Sequence, residues 1–147
     1  MFQKIISFEG LEGLKKIYIS MLRQASRNSK MLVLRDEFIW NEEWNFTFSD
    51  NWQEIVTRLK KEKNITTNLL LNNSEEELEK VKFYDSRVGL KYKLLKKRFR
   101  INKFSLYILS DMVSILSIEK NNLVGVQITN KYLADNFKSI FEMIWDK

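Results

Sequence analysis

The sequence predicts an α/β fold in which helices flank one mixed β-sheet. Three observations lead to this prediction. In the first half of the chain, short apolar segments alternate with amphipathic segments of helical period, which is typical of parallel strands joined by helices. Later, three strand-like segments are separated only by short polar turns, which indicates an antiparallel meander. The final segment has helical apolar spacing and predicts a helix that closes the domain.

The first half contains the alternating elements. Residues 5–8 are predicted as a strand, and apolar residues at intervals of three and four predict a helix over 11–27. The apolar run within 30–35 predicts a strand covered on both faces. Another helix begins at Asp50, and a strand at 65–71 follows it. Four cations lie near the C-terminus of this second helix, where positive charge complements the helix dipole: Arg58, Lys60, Lys61 and Lys63.

The second half contains the remaining elements. Ser74 is predicted to cap a short helix that runs to about residue 82. Strands are predicted at 91–95, 104–109, 113–118 and 123–128. Asn130 can cap the closing helix because its side chain can accept a hydrogen bond from the first turn. The apolar face of this helix is predicted to contain Leu133, Phe137, Ile140, Phe141 and Ile144.

Composition fits a single domain over residues 1–147, with 44% hydrophobic residues to form a core. No apolar run approaches the roughly 20 residues that a membrane-spanning helix needs, and no signal peptide is evident. The chain contains no cysteine, so a cytoplasmic location is expected. It also contains no histidine and none of the glycine-rich phosphate-binding motifs. No metal and no cofactor are therefore predicted.

Two segments at the ends of the chain resemble a known family. Phe8-Glu-Gly-Leu-Glu-Gly-Leu-Lys-Lys-Ile-Tyr18 ends a strand and opens a helix, and residues 123–145 form a strand, a cap and a helix. Together they resemble the C-terminal effector domain of TrmB-type transcriptional regulators, which has a phospholipase-D-like fold. The resemblance covers roughly residues 5–24 and 104–146. Such regulators carry a winged helix-turn-helix before this domain, and this chain is expected to lack it.

The resemblance implies a domain that senses an effector or forms dimers. The implied partners are a second copy of the chain or a full-length regulator of the same family. The implied effector is a small anionic or sugar-like molecule. Phospholipase D enzymes act through the motif H-x-K-x-x-x-x-D, and Lys103 can stand at its lysine position. Ile101 and Ile108 stand where the histidine and the aspartate belong. The expectation is therefore that the chain is not an enzyme.

A ligand site is predicted at the carboxyl ends of the strands, where ligands of open α/β sheets bind. Residues 36–50 combine five large aromatic side chains with several acids. This segment can wall a pocket, anchor itself on the core or contact another subunit. The predicted ligand-binding residues are Asp36, Trp40, Trp44, Asn72 and Lys103.

The segment 91–103 carries the strongest concentration of positive charge in the chain, whose net charge is +6. Cations interleaved with aromatic residues can bind nucleic acid, weakly and mainly through phosphates. The same cations can protect an exposed edge strand from unwanted pairing, or attract an anionic effector. The residues of the nucleic-acid alternative are Lys91, Lys93, Lys96, Lys97, Arg98 and Arg100.

Overall fold

The computed structural model describes residues 4–36, 50–75, 77–79, 81, 87, 89–119 and 122–147. Within them, a mixed sheet is flanked by helices on both faces, so the predicted fold class is confirmed. The elements in chain order are β1 (Lys4–Glu9), α1 (Gly10–Gln24), β2 (Lys30–Arg35), α2 (Asp50–Lys63), β3 (Thr66–Leu71), β4 (Leu90–Leu94), β5 (Phe104–Leu109), β6 (Met112–Glu119), β7 (Asn122–Thr129) and α3 (Lys131–Trp145).

The sheet has the strand order β1-β7-β6-β5-β2-β3-β4 among the described residues. β2, β3 and β4 run parallel to one another, as the alternation of strands and helices predicts. β5 joins β2 in the antiparallel sense, and β6, β7 and β1 continue the antiparallel pattern. The late meander is therefore confirmed, and β4 lies at one edge of the sheet.

Each face of the sheet carries its own hydrophobic core. On one face, the α1 residues Leu14 and Met21 and the α2 residue Leu59 pack in a cluster with Val33 of β2. On the other face, Phe141 of α3 belongs to a second cluster, which contains side chains of β2, β3, β5 and β6. Successive residues of β2 point to opposite faces, and both faces are covered. This arrangement explains why the run Met-Leu-Val-Leu of β2 is apolar without interruption.

Gly125 of β7 makes room for Phe8, which belongs to the core on the α1 face of the sheet. It lies opposite Phe8 of β1 in the strand register. A Cβ atom at this position would come within 2.4 Å of the Phe8 ring. Because real Cβ contacts are never this short, any larger residue here forces Phe8 out of its place against α1.

Helix α1 ends earlier than the sequence predicts, at Gln24 and not near residue 27. The ammonium group of Lys63, at the end of α2, donates hydrogen bonds to the carbonyl oxygens of Arg23 and of Ala25, the latter at 2.9 Å. Asn28 adopts a φ of 61°, which turns the chain toward β2. Lys63 was expected to complement the dipole of its own helix, but it satisfies terminal carbonyls of α1.

Helix α3 begins as predicted, since the Asn130 side chain accepts a hydrogen bond from the Leu133 N–H at 3.0 Å. Its buried face differs from the prediction. Ala134 and Phe141 are buried and Phe137 and Trp145 pack beside them. Three residues of the predicted apolar face are exposed, with Leu133 at 42%, Ile140 at 54% and Ile144 at 40%. They lie about 100° around the helix from the residues that contact the sheet.

Candidate functional site

The segment between β4 and β5 is central to the candidate site. β2 and β3 lie between these two strands in the sheet. The connection, residues 95–103, therefore crosses the carboxyl ends of β2 and β3. We call this segment the basic loop. It contains five cations and no acid among its nine residues, so most of the net charge of the chain is concentrated here.

Asn72, which directly follows β3, holds the basic loop against the end of the sheet. Its side chain is fully buried. The amide nitrogen donates to the carbonyl oxygen of Ile101 at 2.9 Å, and the amide oxygen accepts from the N–H of Ile101 at 3.0 Å. The Asn72 side chain thus pairs with both the N–H and the C=O of Ile101, as the backbone of a neighbouring strand would.

Asp36 holds the same loop at the end of β2. Its side chain is 1% exposed, and its carboxylate accepts a hydrogen bond from the backbone N–H of Lys103. Its own N–H donates to the carbonyl of Phe104 at 3.3 Å. On the far side of the loop, the hydroxyl of Ser117 donates to the carbonyl of Lys103 at 2.6 Å. The loop is thus attached to three different strands.

The cations of the basic loop project away from this support. Lys96, Lys97, Arg98, Arg100 and Lys103 are all exposed, whereas Leu95 is buried and anchors the start of the loop. The N–H of Leu95 donates to the Leu71 carbonyl at 2.7 Å. A turn follows, in which the N–H of Phe99 donates to the Lys96 carbonyl at 2.9 Å. The result is a backbone held by hydrogen bonds, with exposed charged side chains around it.

Phe99 lies at this turn and is 55% exposed. The Arg98 guanidinium lies over its ring, 4.8 Å from the ring centroid. A large aromatic side chain is normally buried, since burial is the main source of its contribution to stability. Here the side chain remains more than half exposed, with the Arg98 cation over its ring.

The two lysines of β4 are separate from the basic loop. Lys91 and Lys93 are exposed on the edge strand, which fits the protective role of edge lysines. Lys93 also has a structural contact. Its ammonium group donates to the Trp145 carbonyl at 2.7 Å and lies 4.7 Å from the centroid of the indole ring. It therefore attaches the C-terminus of α3 to the edge of the sheet.

The predicted ligand-binding residues are only partly brought together. Asp36, Asn72 and Lys103 do meet at the carboxyl edge of the sheet. The contacts of Asp36 and Asn72, however, are with the backbone of the basic loop. Both side chains are buried beneath that loop, so they position it. Trp40 and Trp44 lie outside the described residues. A ligand-binding role for these five residues stays a prediction.

A second group of charges lies between α2 and the sheet. Lys60 is half-buried as a residue, but its ammonium group is buried and donates to the Thr67 hydroxyl at 2.8 Å. Burial, together with the positive charges of Arg35 and Arg87, lowers the pKa of Lys60 to about 7. The sequence places Lys60 among cations expected to serve only the helix dipole, and no local signal distinguishes it from exposed Lys61.

Two further properties concern the described part of the chain. Its acidic residues form no group of three that could hold a metal ion. No helix described here is long and apolar enough to span a membrane.

The sequence matches no known family profile and no curated protein. Solved structures of similar fold include the following three. TrmBL2, an archaeal chromatin protein whose structure shows a novel mode of DNA binding, is 17% identical with a TM-score of 0.64. The match covers 97% of this chain and 52% of TrmBL2, so the chain spans about half of that protein.

The other two similar structures match over nearly their whole length. Nuc from Salmonella typhimurium, a phospholipase D family member, is 14% identical with a TM-score of 0.71 and coverage of 99% of this chain and 95% of Nuc. NucT from Helicobacter pylori is 14% identical with a TM-score of 0.62 and coverage of 99% and 97%. These likenesses confirm the phospholipase-D-like fold.

The same likenesses contradict the prediction that the chain is not an enzyme. Nuc belongs to a family named after an enzyme, phospholipase D, and shares almost the whole length of this chain. The prediction rested on the absence of histidine from the chain and on Ile101 and Ile108 at two positions of one catalytic motif. A motif argument tests one arrangement of residues, whereas one fold can support several chemistries. The prediction is therefore withdrawn.

Proposed function

We propose that this chain binds nucleic acid through the phosphate contacts of its basic loop. The observation that carries the proposal is a run of five exposed cations on a backbone attached to β2, β3 and β6. Cations release counterions from a nucleic acid when they neutralise its phosphates, and this release drives binding without regard to sequence.

The support beneath the loop favours binding over simple solvation of charge. A flexible loop must be ordered when it binds, and that ordering opposes association. Here Asn72 and Asp36 already fix the backbone from Ile101 to Lys103. The loop also lies at the carboxyl edge of parallel strands, where open α/β sheets commonly bind ligands.

The comparison with TrmBL2 supports a nucleic-acid-related or regulatory role. The DNA binding is that of TrmBL2, which is about twice as long as the matched region. At 17% identity, the comparison shows that the two proteins share a fold and nothing further. The proposal for this chain therefore rests on its own basic loop.

The central experiment compares two triple variants that lose the same charge. Lys97→Ala/Arg98→Ala/Arg100→Ala removes three cations of the basic loop, and Lys16→Ala/Arg58→Ala/Lys61→Ala removes three exposed cations of α1 and α2. Fluorescence anisotropy of a labelled 20-nucleotide strand measures binding from 50 to 200 mM salt. Neutralising about five phosphates predicts a roughly 100-fold loss of affinity for the unmodified chain over this range.

We expect the loop variant to lose most of its affinity and most of the salt dependence, while the control variant keeps both. At physiological salt, a dissociation constant of about micromolar or weaker is expected for non-specific contact. Equal effects of the two variants would refute a role for the basic loop. The same samples run on a denaturing gel reveal any cleavage of the strand.

A second candidate function is that of a dimerising regulator domain, which the TrmB resemblance implies. The exposed apolar side of α3 favours it, because large apolar residues in such a row commonly form a subunit contact. The partner would be a second copy or a full-length regulator of the same family, in the cytoplasm. A small anionic or sugar-like effector near Lys103 belongs to this proposal.

A further inference from the structure

The basic loop contains one feature that phosphate contact leaves unexplained, the exposed ring of Phe99. Phosphate binding needs only cations. An exposed phenyl ring adds nothing to it and is unfavourable in water, where its apolar surface is best buried. The backbone that carries the ring is held in a turn, since the N–H of Phe99 donates to the Lys96 carbonyl at 2.9 Å.

We propose that Phe99 stacks on a base of single-stranded nucleic acid; this rests on the proposed function of the basic loop. Base stacking on an aromatic side chain tolerates any sequence, because every base has a flat π-face. Bases of a single strand are free to turn toward such a ring. Bases of a duplex are already stacked on one another and are accessible only if the duplex is unstacked.

Arg98 gives the second half of the argument. Its guanidinium lies 4.8 Å from the centroid of the Phe99 ring. A base that stacks on the ring brings its own phosphate within reach of the same loop, which contains Lys97 and Arg100 on either side. The flat guanidinium can stay on the ring beside the base or turn to the phosphate. The site therefore fits one nucleotide unit, with its base at Phe99 and its phosphate at the cations.

The expected preference is for single strands over duplexes of the same length. A duplex bound only by phosphate contact would use the cations and leave the ring in solvent. A duplex kinked by an inserted Phe99 is the competing arrangement, and it predicts equal or tighter duplex binding. A protein partner at Phe99 predicts no effect of this residue on nucleic acid at all.

The test uses Phe99→Leu, which keeps apolar volume but removes the aromatic ring. Tyr132→Leu is the matched control, because Tyr132 is an exposed aromatic on α3 at 76% exposure. Three labelled probes are titrated at fixed salt: a 20-nucleotide single strand, the corresponding 20-base-pair duplex and a 20-unit abasic strand, which has the phosphates without bases. Thermal melting of each variant checks the fold.

We expect Phe99→Leu to weaken single-strand binding by about 5- to 150-fold, the range for loss of one stacked base. Binding of the abasic strand and the salt dependence should stay unchanged, and so should the melting temperature. Equal affinity of Phe99→Leu and the unmodified chain for the single strand would overturn the inference while leaving phosphate binding intact. If the unmodified chain binds none of the three probes, the proposed function itself is refuted.

Discussion

Lys60 brings a positive charge into the interior of the domain, and this makes stability depend on pH. Its pKa is about 7 in the folded protein against 10.5 for an ordinary lysine. Between these values the folded protein binds fewer protons than the unfolded chain, so the free energy of unfolding rises with pH. Below about pH 7 the lysine is charged in both states and its destabilising effect is complete.

Replacing Lys60 by methionine should therefore stabilise the protein at pH 6, with a gain that disappears as pH approaches 10. Methionine keeps the length of the side chain and removes the charge that is buried near Arg35 and Arg87. Urea unfolding at several pH values measures the difference from the unmodified chain. Lys61→Met is the control at an exposed neighbour. Parallel curves for Lys60→Met and the unmodified chain would show that the Lys60 pKa is ordinary.

Asn72 is the residue whose loss should affect the basic loop most directly. Asn72→Ala removes two hydrogen bonds to Ile101 and should cost about 2 kcal/mol. For a chain of this size, that corresponds to a decrease of about 4–8 °C in melting temperature. Nucleic-acid binding should also weaken several-fold, because the loop must then be ordered on binding.

The control for this variant is Asn102→Ala, an exposed asparagine within the same loop. We expect it to change the melting temperature by less than about 2 °C, as surface substitutions generally do. If Asn72→Ala melts like the unmodified chain, Asn72 does not hold the loop, and the rigid-loop argument fails.

At the scale of elements, the sequence predicts most strands and helices to within one or two residues. Strands β2 and β5 coincide with their predicted ranges because both contain uninterrupted apolar runs. The end of α1 was missed because the group that stops it, Lys63, lies at the end of another helix. A local pattern contains no information about such a partner.

The candidate site shows the same division. Asp36 and Asn72 each directly follow one of two adjacent parallel strands, and this was enough to predict that they lie near each other. Their contacts with the backbone of Ile101 and Lys103 could not be predicted, because they depend on the route of the loop between β4 and β5. That route follows from the strand order, which local sequence patterns do not determine.

At the scale of the whole molecule, we expect two copies to meet through an exposed apolar row of α3. Leu133, Ile140 and Ile144 lie along one side of the helix and are 40–54% exposed. Two-fold symmetry is the commonest symmetry of soluble oligomers. Two copies related by such an axis would cover this row with the same row of the partner. The resemblance to dimeric regulators predicts the same state.

Light scattering at micromolar concentration should therefore give the mass of a dimer, and Ile140→Glu should give the mass of a monomer. A carboxylate in the middle of an apolar contact must be desolvated without a partner, which opposes association. Ser139→Glu adds the same charge at the neighbouring exposed position and should remain dimeric. A monomeric mass for the unmodified chain would refute the dimer.

The pairing of β1 with β7 has a consequence for the order of events during synthesis. Lys4 lies opposite Thr129 in this register, so β1 can pair only after β7 has been made. Until then β1 has no strand to pair with, whereas β6 and β7 can each pair with the strand made just before them. β1 is thus made before α1 and β2, but it enters the sheet only after β7, which follows it by more than a hundred residues.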